Sequence, residues 1–294
     1  MAHAEIDAIR AMLAAGPPPP TLADLRAMYD GLGALFPTAA DVTLTPGTVA
    51  GQAVELTSTP AADANRVLLY LHGGGYVIGS IASHRHLAAE LGRACGTRTL
   101  AIDYRLAPEH AYPAAVDDAL TAYRHLLDQG IKPGHIAIAG DSAGGGLTVA
   151  TLLAIKAAGL AQPSCGVCIS PWVDMEAKGA SMDGKAAEDP MVQRQGLLDW
   201  AGMYLAGADP KSPTAAPIYG DLKGLAPLLI QVGSAETLLD DSIRLAGVAG
   251  AAEVDVKLEV WPQMIHVWHF FYPMLTEART AIAGAGAFVR GKMG

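Results

Sequence analysis

Gly140, Asp141, Ser142, Ala143 and Gly144 spell G-x-S-x-G where an apolar run ending at Ala139 meets a segment of helical periodicity beginning near Ala143. At such a junction the two glycines permit a turn too sharp for side chains. The serine hydroxyl then projects from the end of a sheet, beside the free N–H groups of the following helix. A serine hydroxyl is a weak nucleophile near neutrality. Chemistry at Ser142 therefore requires a base, a carboxylate to orient that base, and donors for a developing oxyanion. The order nucleophile, acid, base at successive strand ends selects Glu236, a few residues after an apolar run ending at Val232, and His266, similarly placed after Val260. Asp240 and Asp241 are rival acids, but both are expected inside a helix. His269, one helical turn beyond His266, is a rival base and reads as a core histidine among Trp261, Trp268, Phe270 and Phe271.

His72, Gly73, Gly74 and Gly75 follow the first long apolar run, and three glycines there expose backbone N–H groups with no side chain in the way. With the N–H of Ala143 they can face an alkoxide. A phosphate-binding loop is the competing reading, but Gly73, Gly75 and Gly79 are spaced G-x-G-x-x-x-G, off by one from a dinucleotide loop, and no G-x-x-x-x-G-K-[ST] occurs. Cys165 and Cys168 form C-x-x-C inside an apolar run read as a buried strand. Residues three apart in a strand face opposite ways, and only one other cysteine exists, so both read as core thiols rather than a redox or zinc pair.

To meet in space, these groups need a sheet with helices on both faces. Near-continuous apolar runs at Val67–Leu71, Thr99–Asp103, Ile136–Ala139, Val167–Ser170, Leu228–Val232 and Val256–Val260 suit parallel strands covered on both sides. Helical periodicity occupies about Ser83–Cys95, Ala114–Gln129, Ala143–Ala158, Leu238–Gly250 and Thr276–Arg290. Before them, Asp41–Thr59 alternates Val, Leu and Thr. Residues 1–36 suggest two short amphipathic helices separated by the stiff connector Pro17–Pro20. Nearly 60 residues separate Ser170 from Leu228. Met191, Leu197, Leu198, Trp200, Met203, Tyr204 and Leu205 in that gap predict a helical insertion with an apolar face, a cap over the site rather than a structureless loop. The expected class is α/β: a mostly parallel central sheet of about eight strands flanked by helices, with cap helices in 1–40, a catalytic domain in 41–294 and a cap insertion at about 175–225.

Composition narrows the partners. Of 294 residues, 51% are hydrophobic and 17% charged, which excludes a disordered chain. A formal charge of −9 without a Lys/Arg cluster argues against nucleic acid and anionic membranes. The longest uncharged stretches are broken by glycine or proline, so stable membrane insertion is not expected. Acidic Glu5 and Asp7 where a secretory leader would be basic, together with an odd count of three cysteines, point to a reducing, cytoplasmic setting.

The chain resembles the hormone-sensitive-lipase-like branch of the α/β-hydrolases, the bacterial family IV esterases. The resemblance rests on His72–Gly75, Gly140–Gly145, Asp103–Pro113 (DYRLAPEHAYP) and Tyr204–Tyr219 (YLAGADPKSPTAAPIY), and covers about Val67 to Phe271. It implies a carboxylic-ester hydrolase with no metal or organic cofactor. Ser142 is then the nucleophile, His266 the general base and acid, and Gly74, Gly75 and Ala143 the oxyanion donors, with His72 and Asp141 in support. Many members carry Asp-Pro-Leu where this chain has Glu236, Thr237 and Leu238. It looks like the subset that uses glutamate, with Asp240 the alternative. The resemblance further implies a small ester as substrate, short to medium in its acyl chain, and a homodimer through the far edge of the sheet. A lactone hydrolase would use the same residues. A non-catalytic small-molecule receptor of this fold should lack the serine or the histidine, and both are here.

Overall fold

The computed structural model describes residues 4–13 and 19–294. Two helices open the chain, α1 (Ala4–Leu13) and α2 (Leu22–Ala34), the second capped by Thr21, whose hydroxyl accepts from the Asp24 N–H at 3.1 Å. Pro17 and Pro18, half of the predicted connector, lie outside the described residues. The alternating segment forms a hairpin of β1 (Thr43–Val49) and β2 (Gln52–Ser58). Its two-residue turn places Ala50 at φ 50° and Gly51 at φ 88°, the left-handed pair that matches strand twist.

From there strand and helix alternate: β3 (Asp63–Leu71), α3 (Ile81–Cys95), β4 (Thr97–Ile102), α4 (Ala114–Asp128), β5 (Ile136–Asp141), α5 (Ala143–Ala157) and β6 (Cys165–Ile169). An insertion follows with α6 (Ser181–Gly184) and α7 (Arg194–Leu205), then β7 (Leu228–Gly233), α8 (Leu239–Ala251), β8 (Val256–Trp261) and α9 (Thr276–Met293). The eight strands form one sheet in the order β1-β2-β4-β3-β5-β6-β7-β8. Only the two pairings of β2 are antiparallel; the six strands from β4 to β8 are parallel.

Alternate side chains of one strand enter two separate cores. Leu69 and Leu71 join the core under α4, α5 and α8, while Leu68 and Tyr70 join the core under α3 and α9. Burial on both faces is why these strands read as unbroken apolar runs. Cys168 faces the first core and Cys165 the second, both as free thiols.

Several boundaries differ from expectation: β3 starts at Asp63, β6 at Cys165, and α9 runs on to Met293. Helix α3 starts two residues earlier, at Ile81, because Ser80 and Ser83 form a reciprocal capping box. In the insertion, α7 starts at Arg194 and leaves Met191 outside it. Its apolar residues divide: Leu197, Tyr204 and Leu205 are buried, whereas Leu198 and Met203 stay exposed. Among the described residues no helix is long and apolar enough to cross a membrane.

Candidate active site

Ser142 sits between the end of β5 and the start of α5 at φ 53°, ψ −120°, a left-handed conformation that costs a non-glycine residue of order 1–3 kcal/mol and persists only where its surroundings enforce it. The enforcement is visible. The Ser142 N–H donates to Ile169 O at 2.8 Å, and its carbonyl accepts from Trp172 N at 3.0 Å and Gly146 N at 3.1 Å. A Cβ on Gly140 would overlap the backbone of Gly144, and one on Gly144 would overlap the carbonyls of Leu71 and His72, so α5 can lie this close to β3 only with glycine at both places.

The glycine loop runs beside this elbow and is tied to it through Asp141, which is 1% exposed. Asp141 Oδ1 accepts from Gly73 N at 3.1 Å and from the Tyr70 hydroxyl at 2.6 Å, and His84 Nε2 stands 3.3 Å from Oδ2. Burial pushes the Asp141 carboxyl up, but His84 and Tyr70 outweigh it and hold the group below its ordinary range, as an anion. His72 donates from Nδ1 to Gly73 O at 2.8 Å and stacks on Tyr104 at 4.1 Å. Burial and the neighbouring His84 push His72 down to about 3, so it is a neutral brace. Gly74 and Gly75 adopt φ 114° and 61°, and among the described residues no backbone carbonyl takes their N–H groups. Ala143, first in α5, likewise has no intrahelical acceptor for its N–H.

Glu236 and His266 lie in the loops after β7 and β8, at the same carboxyl edge of the sheet. Glu236 Oε2 is 2.8 Å from His266 Nδ1, with the two residues 0% and 3% exposed. The other oxygen, Oε1, accepts from Gly233 N at 2.6 Å and from the Ser170 hydroxyl at 2.8 Å. Burial pulls the His266 pKa down, but the hydrogen bond and charge of Glu236 more than offset it, and the net shift is upward. With Nδ1 held by the carboxylate, Nε2 is the nitrogen left to take a proton.

The rival residues are engaged elsewhere. Asp240 Oδ2 accepts from Ser181 N at 2.9 Å, and Asp241 Oδ2 accepts from Val173 N and Asp174 N at 2.9 and 3.0 Å. His269 Nε2 pairs with Gln231 Oε1 at 2.9 Å, and burial pushes it down to about 3. Ser170 is a site residue that sequence reasoning missed. Besides holding Glu236, its Oγ accepts from Val267 N at 3.1 Å, so it ties the acid to the histidine loop. No motif marks it, because both of its partners are far along the chain.

Two flanking segments are tied by hydrogen bonds to loops near this edge. Arg26 of α2 donates to Val77 O and Ala107 O at 2.8 and 2.9 Å and pairs with Glu109, fastening α2 to the segment just after the glycine loop and to the loop after β4. Tyr112 N donates to Tyr204 O at 2.7 Å, so the segments Asp103–Pro113 and Tyr204–Tyr219 pack on each other. An apolar cavity of about 80 Å³ is lined by Tyr29, Leu32, Phe36, Met191, Val267 and Phe270; Val267 follows His266 in the chain, but Ser142, Glu236 and His266 do not line it. Among the described residues no cluster of three His, Cys, Asp or Glu side chains could hold a metal ion.

A mostly parallel sheet with a serine at a strand-to-helix elbow, and a histidine–glutamate pair at the same edge, defines an α/β-hydrolase. A family model described as alpha/beta hydrolase fold matches residues 68–270, and the crystal structure of an esterase from the bacterial hormone-sensitive lipase family superposes with a TM-score of 0.96 at 46% identity, covering 99% of this chain and 98% of that one. The chain belongs to the α/β-hydrolase family and, within it, to the hormone-sensitive-lipase-like carboxylesterases. The crystal structure of EstE5 soaked by p-nitrophenyl butyrate gives a TM-score of 0.96 at 47% identity, with 99% of each chain covered. An acetyl-hydrolase of Streptomyces hygroscopicus is 52% identical over 231 residues, 79% of this chain and 77% of its own length.

Proposed function

We propose that the protein hydrolyses carboxylic esters of short to medium acyl chains through Ser142, His266 and Glu236, by way of an acyl-enzyme. The observation that carries this reading is the buried 2.8 Å contact of Glu236 with His266 Nδ1, at the same sheet edge as the strained elbow of Ser142. His266 Nε2 takes the proton as Ser142 Oγ attacks the ester carbonyl, and Glu236 holds the tautomer and stabilises the imidazolium. The oxyanion is met by the N–H groups of Gly74, Gly75 and Ala143, each worth about 2.7 to 4 kcal/mol in the transition state. As the intermediate collapses, His266 returns the proton to the leaving alcohol. Water then gives a proton to His266 and attacks the acyl group, releasing the carboxylic acid and restoring Ser142.

Residues 1–40 and the insertion at about 175–225 form a cap in this reading. The 52% identical acetyl-hydrolase and the p-nitrophenyl butyrate soaked into EstE5 favour short acyl groups. A small ester is the partner. Three buried free thiols suit the reducing cytoplasm, and the free edge of β8 offers unpaired backbone for a second copy. Hydrolysis of p-nitrophenyl acyl esters by wild type, Ser142→Ala and His266→Ala tests the proposal, with near-complete loss expected in both variants. Comparison of lactones with aryl esters separates a lactone hydrolase from an esterase.

A further inference from the structure

We infer that Asp189 is a positioning residue for Glu236 and His266: it grips Thr237, the residue after the acid, and so makes the insertion part of the frame that holds the catalytic pair. This rests on the triad reading above and adds to it a residue from outside the sheet's edge.

Thr237 is fully buried and bound to the insertion at each of its polar groups. Its N–H donates to Asp189 Oδ2 at 2.8 Å, its hydroxyl lies 3.2 Å from both Asp189 Oδ2 and Val192 O, and its carbonyl accepts from Ser181 Oγ at 2.6 Å. Asp189 is itself 3% exposed, and its two oxygens divide the work. Oδ1 closes a local turn by accepting from Met191 N at 2.9 Å and Val192 N at 3.0 Å, and Met191 lines the apolar cavity. Oδ2 reaches 48 residues along the chain to the turn carrying Glu236. One carboxylate thus shapes a wall of the cavity and holds the acid's turn.

The local turn alone does not require a charge, since an asparagine closes it equally well. The second half does require an acceptor facing the Thr237 N–H. All four of these donors are neutral, and no lysine or arginine pairs with Asp189 in the ion pairs of the described residues. A buried carboxylate without a resident cation is costly. The cation it can serve is the imidazolium formed at His266 during turnover. The groups whose charge bears on His266 are all carboxylates: Glu236 in contact, then Asp189 and Asp141, each favouring the protonated ring.

The test is the pH dependence of kcat and KM for p-nitrophenyl acetate in wild type, Asp189→Asn and Thr237→Val, with thermal unfolding as the control for folding and Ser142→Ala alongside. Asp189→Asn can keep the Met191 turn but must set an amide against the Thr237 N–H. Its kcat is expected to fall about 10- to 100-fold with KM nearly unchanged. Loss of the negative charge also lowers the His266 pKa, so the acid limb of kcat/KM moves to lower pH, which a purely structural role would not produce. Thr237→Val keeps the charge and removes one donor, so kcat falls less and the limb stays in place. A folded Asp189→Asn enzyme with wild-type kcat and acid limb, or with only KM altered, overturns the inference. If that variant does not fold, unchanged kcat in Thr237→Val overturns it instead. Activity surviving in Ser142→Ala would sink the triad reading, whereas a dead Ser142→Ala beside an unaltered Asp189→Asn refutes only the role given to Asp189.

Discussion

Replacing Glu236 by glutamine removes a charge and about one acceptor, and the surroundings dictate the result. The carboxylate serves three donors: Gly233 N at 2.6 Å and Ser170 Oγ at 2.8 Å on one oxygen, His266 Nδ1 at 2.8 Å on the other. A glutamine must present its NH2 to one side. Turned toward Gly233, it leaves a fully buried N–H without an acceptor, at a cost of about 1–3 kcal/mol. Turned toward His266, it keeps both bonds to Gly233 and Ser170, and the second orientation prevails. The ring then accepts at Nδ1 and carries its proton on Nε2, the nitrogen that should take the Ser142 proton. The expected loss in kcat is about 10³- to 10⁴-fold, equivalent to roughly 4–5.5 kcal/mol of transition-state stabilisation, with KM little changed. The assay is p-nitrophenyl acetate hydrolysis by wild type, Glu236→Gln and Asp240→Asn, each shown to be folded by its unfolding transition. The half-buried Asp240 side chain accepts from the Ser181 N–H, a bond an asparagine oxygen can still make, so Asp240→Asn is expected to stay within about 3-fold of wild type. Glu236→Gln within tenfold of wild type, or a collapse in Asp240→Asn instead, would refute the assignment of the acid.

Gly75 stands at φ 61°, and a Cβ there would overlap the Trp200 indole, so Gly75→Ala should displace the His72–Gly75 loop and, on the proposed oxyanion role, cost about 10²- to 10³-fold in kcat. Adding Trp200→Ala relieves the overlap and recovers part of the loss; a Gly75→Ala enzyme with full kcat would contradict this account of the loop. Burial and the nearby Asp174 push Asp241 up to about 7. A carboxyl whose folded pKa is raised stabilises the fold below its unfolded pKa near 3.8, and that contribution disappears as pH rises through about 7, a change of at most roughly 4 kcal/mol. Asp241→Asn is therefore expected to match wild type in melting temperature at acid pH and to exceed it at pH 8, about one pH unit above that pKa; parallel melting curves across this range would show that the carboxyl does not titrate there.

Much of this molecule is legible before folding because two signals survive in one dimension. Strands buried on both faces leave apolar runs such as Val67–Leu71, and a sharp strand-to-helix turn leaves its glycines. The start of a helix just after Glu236 was also readable, and in the structure that helix, from Leu239, carries Asp240 while Glu236 stays in the loop against His266. What the sequence does not display is held by single long-range side-chain bonds, which have no period and no spacing. Ser170 joins Glu236 to Val267 across 66 and 97 residues, and Asp189 joins the insertion to Thr237 across 48. The exposure of Leu198 and Met203 on α7 was equally hidden, because periodicity tells which residues share a face but not whether anything covers it.

The most direct test of the whole account is covalent trapping of the nucleophile. The protein is treated with a p-nitrophenyl phosphonate, and the modified residue is located by peptide mass spectrometry in wild type, Ser142→Ala and His266→Ala. One adduct per chain is expected, on Ser142, formed with release of one p-nitrophenol, absent in Ser142→Ala and greatly slowed in His266→Ala. Stoichiometric labelling at any other residue, or undiminished labelling without His266, would contradict it.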